Sequence, residues 1–181
     1  MSDRLTSLPE IEAACWRELD NAARDKGHAW RAPVLATTDG RAADARTVIL
    51  REVDAERHEL FCFSDSRAGK IAQLSAHPEG TLVMWSPTLA WQLRCRVHLR
   101  AETEGLAVAS RWARVKLSPA AQDYLSPLAP GADAETAPAT ETLEHFAVIT
   151  ARVLSIDWLE LAPDGHRRAR FASGSARWLQ P

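Results

Sequence analysis

Lysine is scarce in this chain: Lys26, Lys70 and Lys116 are the only three in 181 residues, and arginine supplies the rest of the 22 basic side chains. Genome composition also produces such a bias, so the arginine count by itself assigns nothing. Cysteine is scarce too. Cys15, Cys62 and Cys95 are odd in number and widely spaced, which argues against a disulfide framework or a zinc site; they read as small core residues in a reducing compartment. The six histidines form no HExxH motif and no His/Cys cluster, so no metal is expected. No apolar run approaches the length of a membrane span, and the opening Met-Ser-Asp-Arg carries no signal-peptide core. A cytoplasmic protein with no membrane partner is expected. An excess of positive charge is also missing. A formal net charge of −2 and a pI near 6.3 argue against a general nucleic-acid binder. What remains is ordinary globular composition, 46% hydrophobic and 25% charged, at a length that suits one domain over 1–181.

The periodicity divides the chain into a helix followed mainly by strands. Ser7-Leu-Pro-Glu10 reads as a capping box, and Ile11, Cys15, Leu19 and Ala22 recur at helical spacing, which predicts a helix over about 7–27. From Ala32 the period changes to strand, with Asp39-Gly40 as a hairpin signal. One return strand is expected from about Ala43 to Val53, a third over Glu59–Ser64 and a fourth over Thr81–Trp85. Ser66–Ala76 reads as a short helix stopped by His77-Pro78. In the fifth strand Trp91, Leu93, Cys95, Val97 and Leu99 alternate strictly with Gln92, Arg94, Arg96, His98 and Arg100. Its basic face reads as a solvated sheet edge or as the border of a dimer interface. Glu104–Lys116 reads as helix and Phe146–Trp158 as strand. A final hairpin is expected around Ser173-Gly174. Residues 126–140, rich in Pro, Ala and Gly, read as an exposed loop. About six strands with short helices and no regular βαβ alternation predict a mainly β fold with flanking helices, a six-stranded antiparallel Greek-key barrel.

Basic residues stand where burial makes charge expensive. Arg46 and Arg51 bracket the apolar Thr47-Val48-Ile49-Leu50, and Arg67 and Lys70 fall in the first turn of the helix expected from Ser66. Such charges need an anion or hydrogen-bonding partners. Free backbone amides and the helix dipole favour an anion at that same place, and a guanidinium fork suits phosphate. Spacing alone leaves two solvated charges on a surface helix as the other reading.

The order of these pieces resembles the pyridoxamine 5′-phosphate oxidase superfamily of FMN-binding split barrels. The resemblance rests on Arg46-Thr-Val-Ile-Leu-Arg51, Phe63-Ser64-Asp65, Arg67 with Lys70, His77-Pro78 and Trp91-Gln92, within a stretch from about Ala32 to Glu102. The Arg-rich 166–171 and the closing Trp178-Leu-Gln-Pro181 extend it. It implies that Arg46, Arg51, Ser64, Arg67 and Lys70 surround the phosphate and ribityl chain of FMN. Thr47 and Phe63 belong to the same motifs, and backbone near Val48 and Ile49 would lie along the flavin ring. It further implies a homodimer with FMN at its interface, Gln92 reaching the flavin edge from the other subunit. Trp158 and Arg168 have the separation of the family's flavin-facing pair, with Arg170 as the alternative to Arg168 and a core aromatic as the other reading of Trp158.

The chain departs from the true oxidases in the substrate half. Their Tyr-x3-Arg-x3-Ser set falls here on Arg111, Val115 and Pro119, with Arg111 or Arg114 as partial compensation. Their Arg-x-His motif meets His166-Arg-Arg-Ala-Arg170. A divergent member acting on an unidentified small molecule is therefore expected rather than a working pyridoxamine phosphate oxidase. No nucleophile triad or paired carboxylates stand out, so no catalytic acid or base is assigned. The alternatives are a non-catalytic flavin- or haem-binding module, and a basic-faced RNA binder that the acidic pI disfavours.

Overall fold

A computed structural model describes residues 4–133, 135 and 144–181. Its first helix, α1 (Leu8–Arg24), begins where the sequence marks it. Ser7 Oγ accepts the Glu10 amide at 3.4 Å, and the Glu10 carboxylate accepts the Ser7 amide at 3.2 Å, which closes the capping box. Ile11, Ala14, Cys15, Leu19 and Ala22 make its buried stripe.

Nine strands follow among the described residues: β1 (Val34–Thr38), β2 (Ala43–Thr47), β3 (Leu50–Asp54), β4 (Glu59–Asp65), β5 (Glu79–Ser86), β6 (Trp91–Glu102), β7 (Phe146–Glu160), β8 (Arg167–Ala172) and β9 (Ser175–Leu179). Helix α2 (Gly69–Ala76) joins β4 to β5, and α3 (Leu106–Val115) follows β6. Every pairing is antiparallel, in the order β2-β1-β5-β6-β7-β4-β3, with β8 beside β7 and β9 beside β8. Helix α1 packs against β3. The class is the expected one, mainly antiparallel β with flanking helices. The strand count is higher for two reasons. The run read as a single strand over 43–53 breaks at Val48-Ile49, where the Val48 amide turns to the Pro33 carbonyl at 2.9 Å. The C-terminal hairpin also pairs fully with the sheet.

Strand β7 organises the molecule. Its first half pairs with β4 from Phe146 to Arg152, its second half with β8 from Ser155 to Glu160, and β6 runs along both halves. The β6–β7 ladder slips at Arg96–Val97, and Leu154 is left outside the register. Strand β6 is thus central, with β5 on one side and β7 on the other, and not the sheet edge its basic face suggested. Trp91, Leu93, Cys95, Val97 and Leu99 are buried as its alternation requires, while Arg94, Arg96, His98 and Arg100 are exposed.

Two positions demand glycine. Gly40 turns the β1–β2 hairpin at φ +86°, and a Cβ on Gly80 would lie 2.5 Å from Leu99 Cδ1 and 3.0 Å from the Ala36 carbonyl. A second apolar cluster of Val108, Trp112, Ala121, Tyr124, Phe146 and Val148 seats α3 and the turn Pro119–Tyr124 on the sheet. Residues 126–133 and 135 of the expected loop are exposed or half-buried and without regular structure; 134 and 136–140 lie outside the described residues.

Candidate functional site

Strands β2 and β3 and helix α2 carry the three cations of the expected cradle, Arg46, Arg51 and Lys70. Arg46 lies opposite Leu35, a fully buried position, so its side chain turns inward toward α2. There it donates to Gln73 Oε1 at 2.9 Å and to Thr37 Oγ1, and pairs with Asp44, which Gln73 Nε2 also holds at 3.0 Å. Lys70 stands in the first turn of α2, whose N-cap, Ala68, offers no side chain to the leading amides. Its ammonium is half-buried and has no ion pair or hydrogen bond among the described residues. Burial, then the charge of Arg46, hold its pKa below the ordinary 10.5, with Asp65 pulling the other way. Arg51 is the residue squeezed out of register between Leu50 and Glu52 on β3. Its guanidinium lies 5.9 Å from the Phe63 ring centroid, and its Nε is buried with no hydrogen-bond partner. Burial raises the neighbouring Tyr124 phenol, and the charge of Arg51, with a hydrogen bond from its guanidinium, offsets part of that rise. Burial likewise pushes the Cys62 thiol up to about 12, against the opposing charges of Arg51, Lys70 and Arg31.

A half-buried ammonium without a counterion and a buried guanidinium nitrogen without an acceptor are both costly. Phosphate oxygens would satisfy either group, and the first-turn amides of α2 would add donors. The residues present therefore fit the phosphate of FMN.

The other expected residues divide. Ser64 is buried beneath this region, its hydroxyl donating to the Asp65 carbonyl at 3.1 Å. Phe63 packs edge-on against Phe146. Ile49 is half-buried in the break between β2 and β3, while Val48 is buried with its amide already used. Thr47 points outward opposite Val34. Arg67 does not fit the clamp. Helix α2 starts at Gly69 and not near Ser66, so Arg67 precedes it. Its guanidinium bonds both oxygens of the buried Asp65, at 3.1 and 2.7 Å, and the carbonyls of Ser126 and Leu128 at 2.9 and 3.2 Å. That is a structural tie to the following loop. Trp158 is 0% exposed and packs on Trp91 and Trp178, with its indole N–H unpartnered. The core reading applies to it, since β8 pairs Trp158 with Ala169 on the inner face.

Gln92 and Arg168 occupy the opposite, outward face. The register aligns Trp85, Gln92, Leu159, Arg168 and Leu179 in one row across β5 to β9. Arg46 and Lys70 face inward, so these two groups of expected residues are not brought together within one protomer.

Residues 13–101 match the family described as pyridoxamine 5′-phosphate oxidase, FMN-binding domain. That segment holds Arg46, Arg51, Lys70 and Gln92. The matched segment belongs to the pyridoxamine 5′-phosphate oxidase-like FMN-binding family. Its fold is similar to that of a pyridoxamine 5′-phosphate oxidase-related, FMN binding protein from Nostoc punctiforme PCC 73102, with a TM-score of 0.74 at 20% identity over 97% of this chain and 100% of that one. PhzG from Burkholderia lata 383, solved in complex with tetrahydrophenazine-1-carboxylic acid, gives 0.72 at 17% identity over 99% and 95%. General Stress Protein 26 from Bacillus anthracis gives 0.51 at 10% identity over 91% and 98%. At such identities the likeness is one of fold. No curated protein matches the sequence at a significant level.

Helix α3 brings Arg111 and Arg114 together on Glu52, at 2.8 and 2.9 Å, and a cavity of about 260 Å³ lies between them, Arg51 and Ser118. The sequence reading stepped through Arg111, Val115 and Pro119. It missed Glu52 and Ser118, for which the amphipathic spacing of α3 and the register of β3 were the available signals. Of those three positions Arg111 and Val115 do line this cavity.

Proposed function

We propose that the chain is an FMN-dependent oxidoreductase that acts as a homodimer on a small molecule. The observation that carries the reading is the pairing of an unsatisfied Arg51 Nε with an uncompensated, half-buried Lys70, inside a segment that matches an FMN-binding domain. Arg46, Arg51 and Lys70 bind the phosphate. Gln73 and Asp44 hold Arg46 in place for it. Gln92 and Arg168 lie on the other face of the sheet, so a second protomer would present them to the ring as hydrogen-bond donors and a positive charge. A second copy also suits the exposed Trp85 (43%) and Val34 on that face. Bound FMN would supply hydride or electron transfer, while the protein supplies position and electrostatics. Three buried free thiols suit the reducing cytoplasm.

The test is the visible spectrum of the native protein, followed by mass spectrometry of whatever small molecule denaturation releases. FMN in the extract, bleaching by NADH or NADPH and recovery in air are the expected results. A protein that neither carries FMN nor takes it up would overturn the reading. A Soret band in place of flavin absorption would make it a haem carrier instead.

A further inference from the structure

The outward face of β5 to β8 contains a cavity of about 350 Å³ to which no role has been given above. Its walls include Arg94, Arg96, Arg168, Arg170, Asp157 and Ser155. The register explains the crowding. Arg94, Asp157 and Arg170 stand opposite one another on β6, β7 and β8, while Arg96 faces Ser155 in the next row. Four guanidinium groups therefore share one carboxylate. Asp157 is already committed, accepting from Arg94 at 2.9 Å and from Arg168 at 3.0 and 2.8 Å. Arg96 and Arg170 have no ion pair and no side-chain hydrogen bond among the described residues.

Like charges set across neighbouring strands are destabilising, and a concave wall concentrates their field. The acid in this cavity, Asp157, is spent on Arg94 and Arg168, so the surplus positive charge suits a small anionic ligand.

We propose that Arg94, Arg96 and Arg170 form a second oxyanion site that holds the carboxylate or phosphate group of the substrate. Planar guanidinium forks suit both groups, and the Ser155 hydroxyl adds a donor. The site is distinct from the cradle of Arg46, Arg51 and Lys70, where the inward-turned Arg46 stands on the other side of the sheet. Its role as a substrate anchor rests on the flavin reading above. Arg94 and Arg170 lie two residues along their strands from Gln92 and Arg168, a step of about 6 to 7 Å. An anion held by the first row thus places a small molecule's body over the second, where the flavin edge is expected. The substrate class is a compact organic anion.

The test titrates inorganic phosphate, and separately benzoate, into the protein as purified. It compares wild type with Arg96→Gln/Arg170→Gln and with Lys70→Ala, and measures flavin content and thermal stability alongside. Neither arginine has a partner to lose among the described residues, so the double variant should fold with unchanged or higher Tm. Its affinity for the preferred anion should fall about tenfold or more, while Lys70→Ala leaves that event intact. Preference for phosphate or for benzoate assigns the group. Equal binding by wild type and the double variant, or binding of neither anion, overturns the proposal. Intact FMN binding with no anion effect sinks this inference alone. A protein without FMN that still loses an anion site in the double variant sinks the flavin reading alone.

Discussion

Replacing Lys70 by alanine removes a charge that the folded chain holds half-buried beside Arg46 with no ion pair among the described residues. In the apo-protein that removal relieves a desolvation cost and a like-charge repulsion, so Tm should stay level or rise. In the complex it deletes a charge-assisted bond to phosphate, worth about 1.5 to 3 kcal/mol, so FMN should bind roughly 10- to 150-fold more weakly. Opposite signs for stability and affinity are the signature of a binding residue. A structural lysine would move both down together. The pH dependence follows from the same depressed pKa. Phosphate prefers the charged ammonium, so affinity should fall as pH rises through a value below 10.5, and Lys70→Met should lack that limb. For folding the sign is reversed: between the folded and unfolded values the unfolded chain binds the extra proton, so apo-protein stability gains with rising pH across that window. Fluorescence titration of FMN into both variants, with thermal melts of the apo-forms, reads all of this. Unchanged affinity in a folded Lys70→Ala protein would refute the cradle.

Arg67→Ala should act in the opposite way, lowering stability by stranding the buried Asp65 carboxylate, with FMN affinity in the surviving folded protein nearly unchanged; chemical denaturation with parallel flavin titration checks it. In wild type, burial alone would raise Asp65, yet the bonds from Arg67 keep it below 3.8, so its stabilising share is present above that value and disappears as pH falls through the lowered one. Gly80→Ala should cost about 1 to 3 kcal/mol, because its Cβ meets Leu99 and the Ala36 carbonyl on both sides of β5, and a lowered Tm would show it. Cys15, Cys62 and Cys95 are buried, and burial raises all three thiols, Cys62 and Cys95 to about 12, so an aromatic disulfide reagent should find no thiol in the native protein and three after unfolding.

Local chemistry made part of this structure legible. The Ser7–Glu10 box, the Asp39-Gly40 turn and the alternation of Trp91–Arg100 each encode their own geometry within a few residues. The place of Lys70 in a helix's first turn was legible for the same reason. What lay hidden depends on distant partners. The fate of Arg67 is decided by Ser126 and Leu128, and that of Arg111 by Glu52, about sixty positions away in each case. Parity was the other difficulty. A strand shows each residue to one side or the other, and only the β7–β8 register puts Trp158 inside and Arg168 outside.

The dual allegiance of β7 has a consequence for how the chain reaches this state. Residues from Phe146 onward supply the middle of the sheet, and Glu59 must find Arg152 before the two halves join. During synthesis, then, β4 and β6 emerge without the strand that joins them. Closure is a late, long-range event, the kind that slows folding and rewards chaperone shelter. Truncation just before Phe146 should therefore yield aggregate, not a smaller barrel.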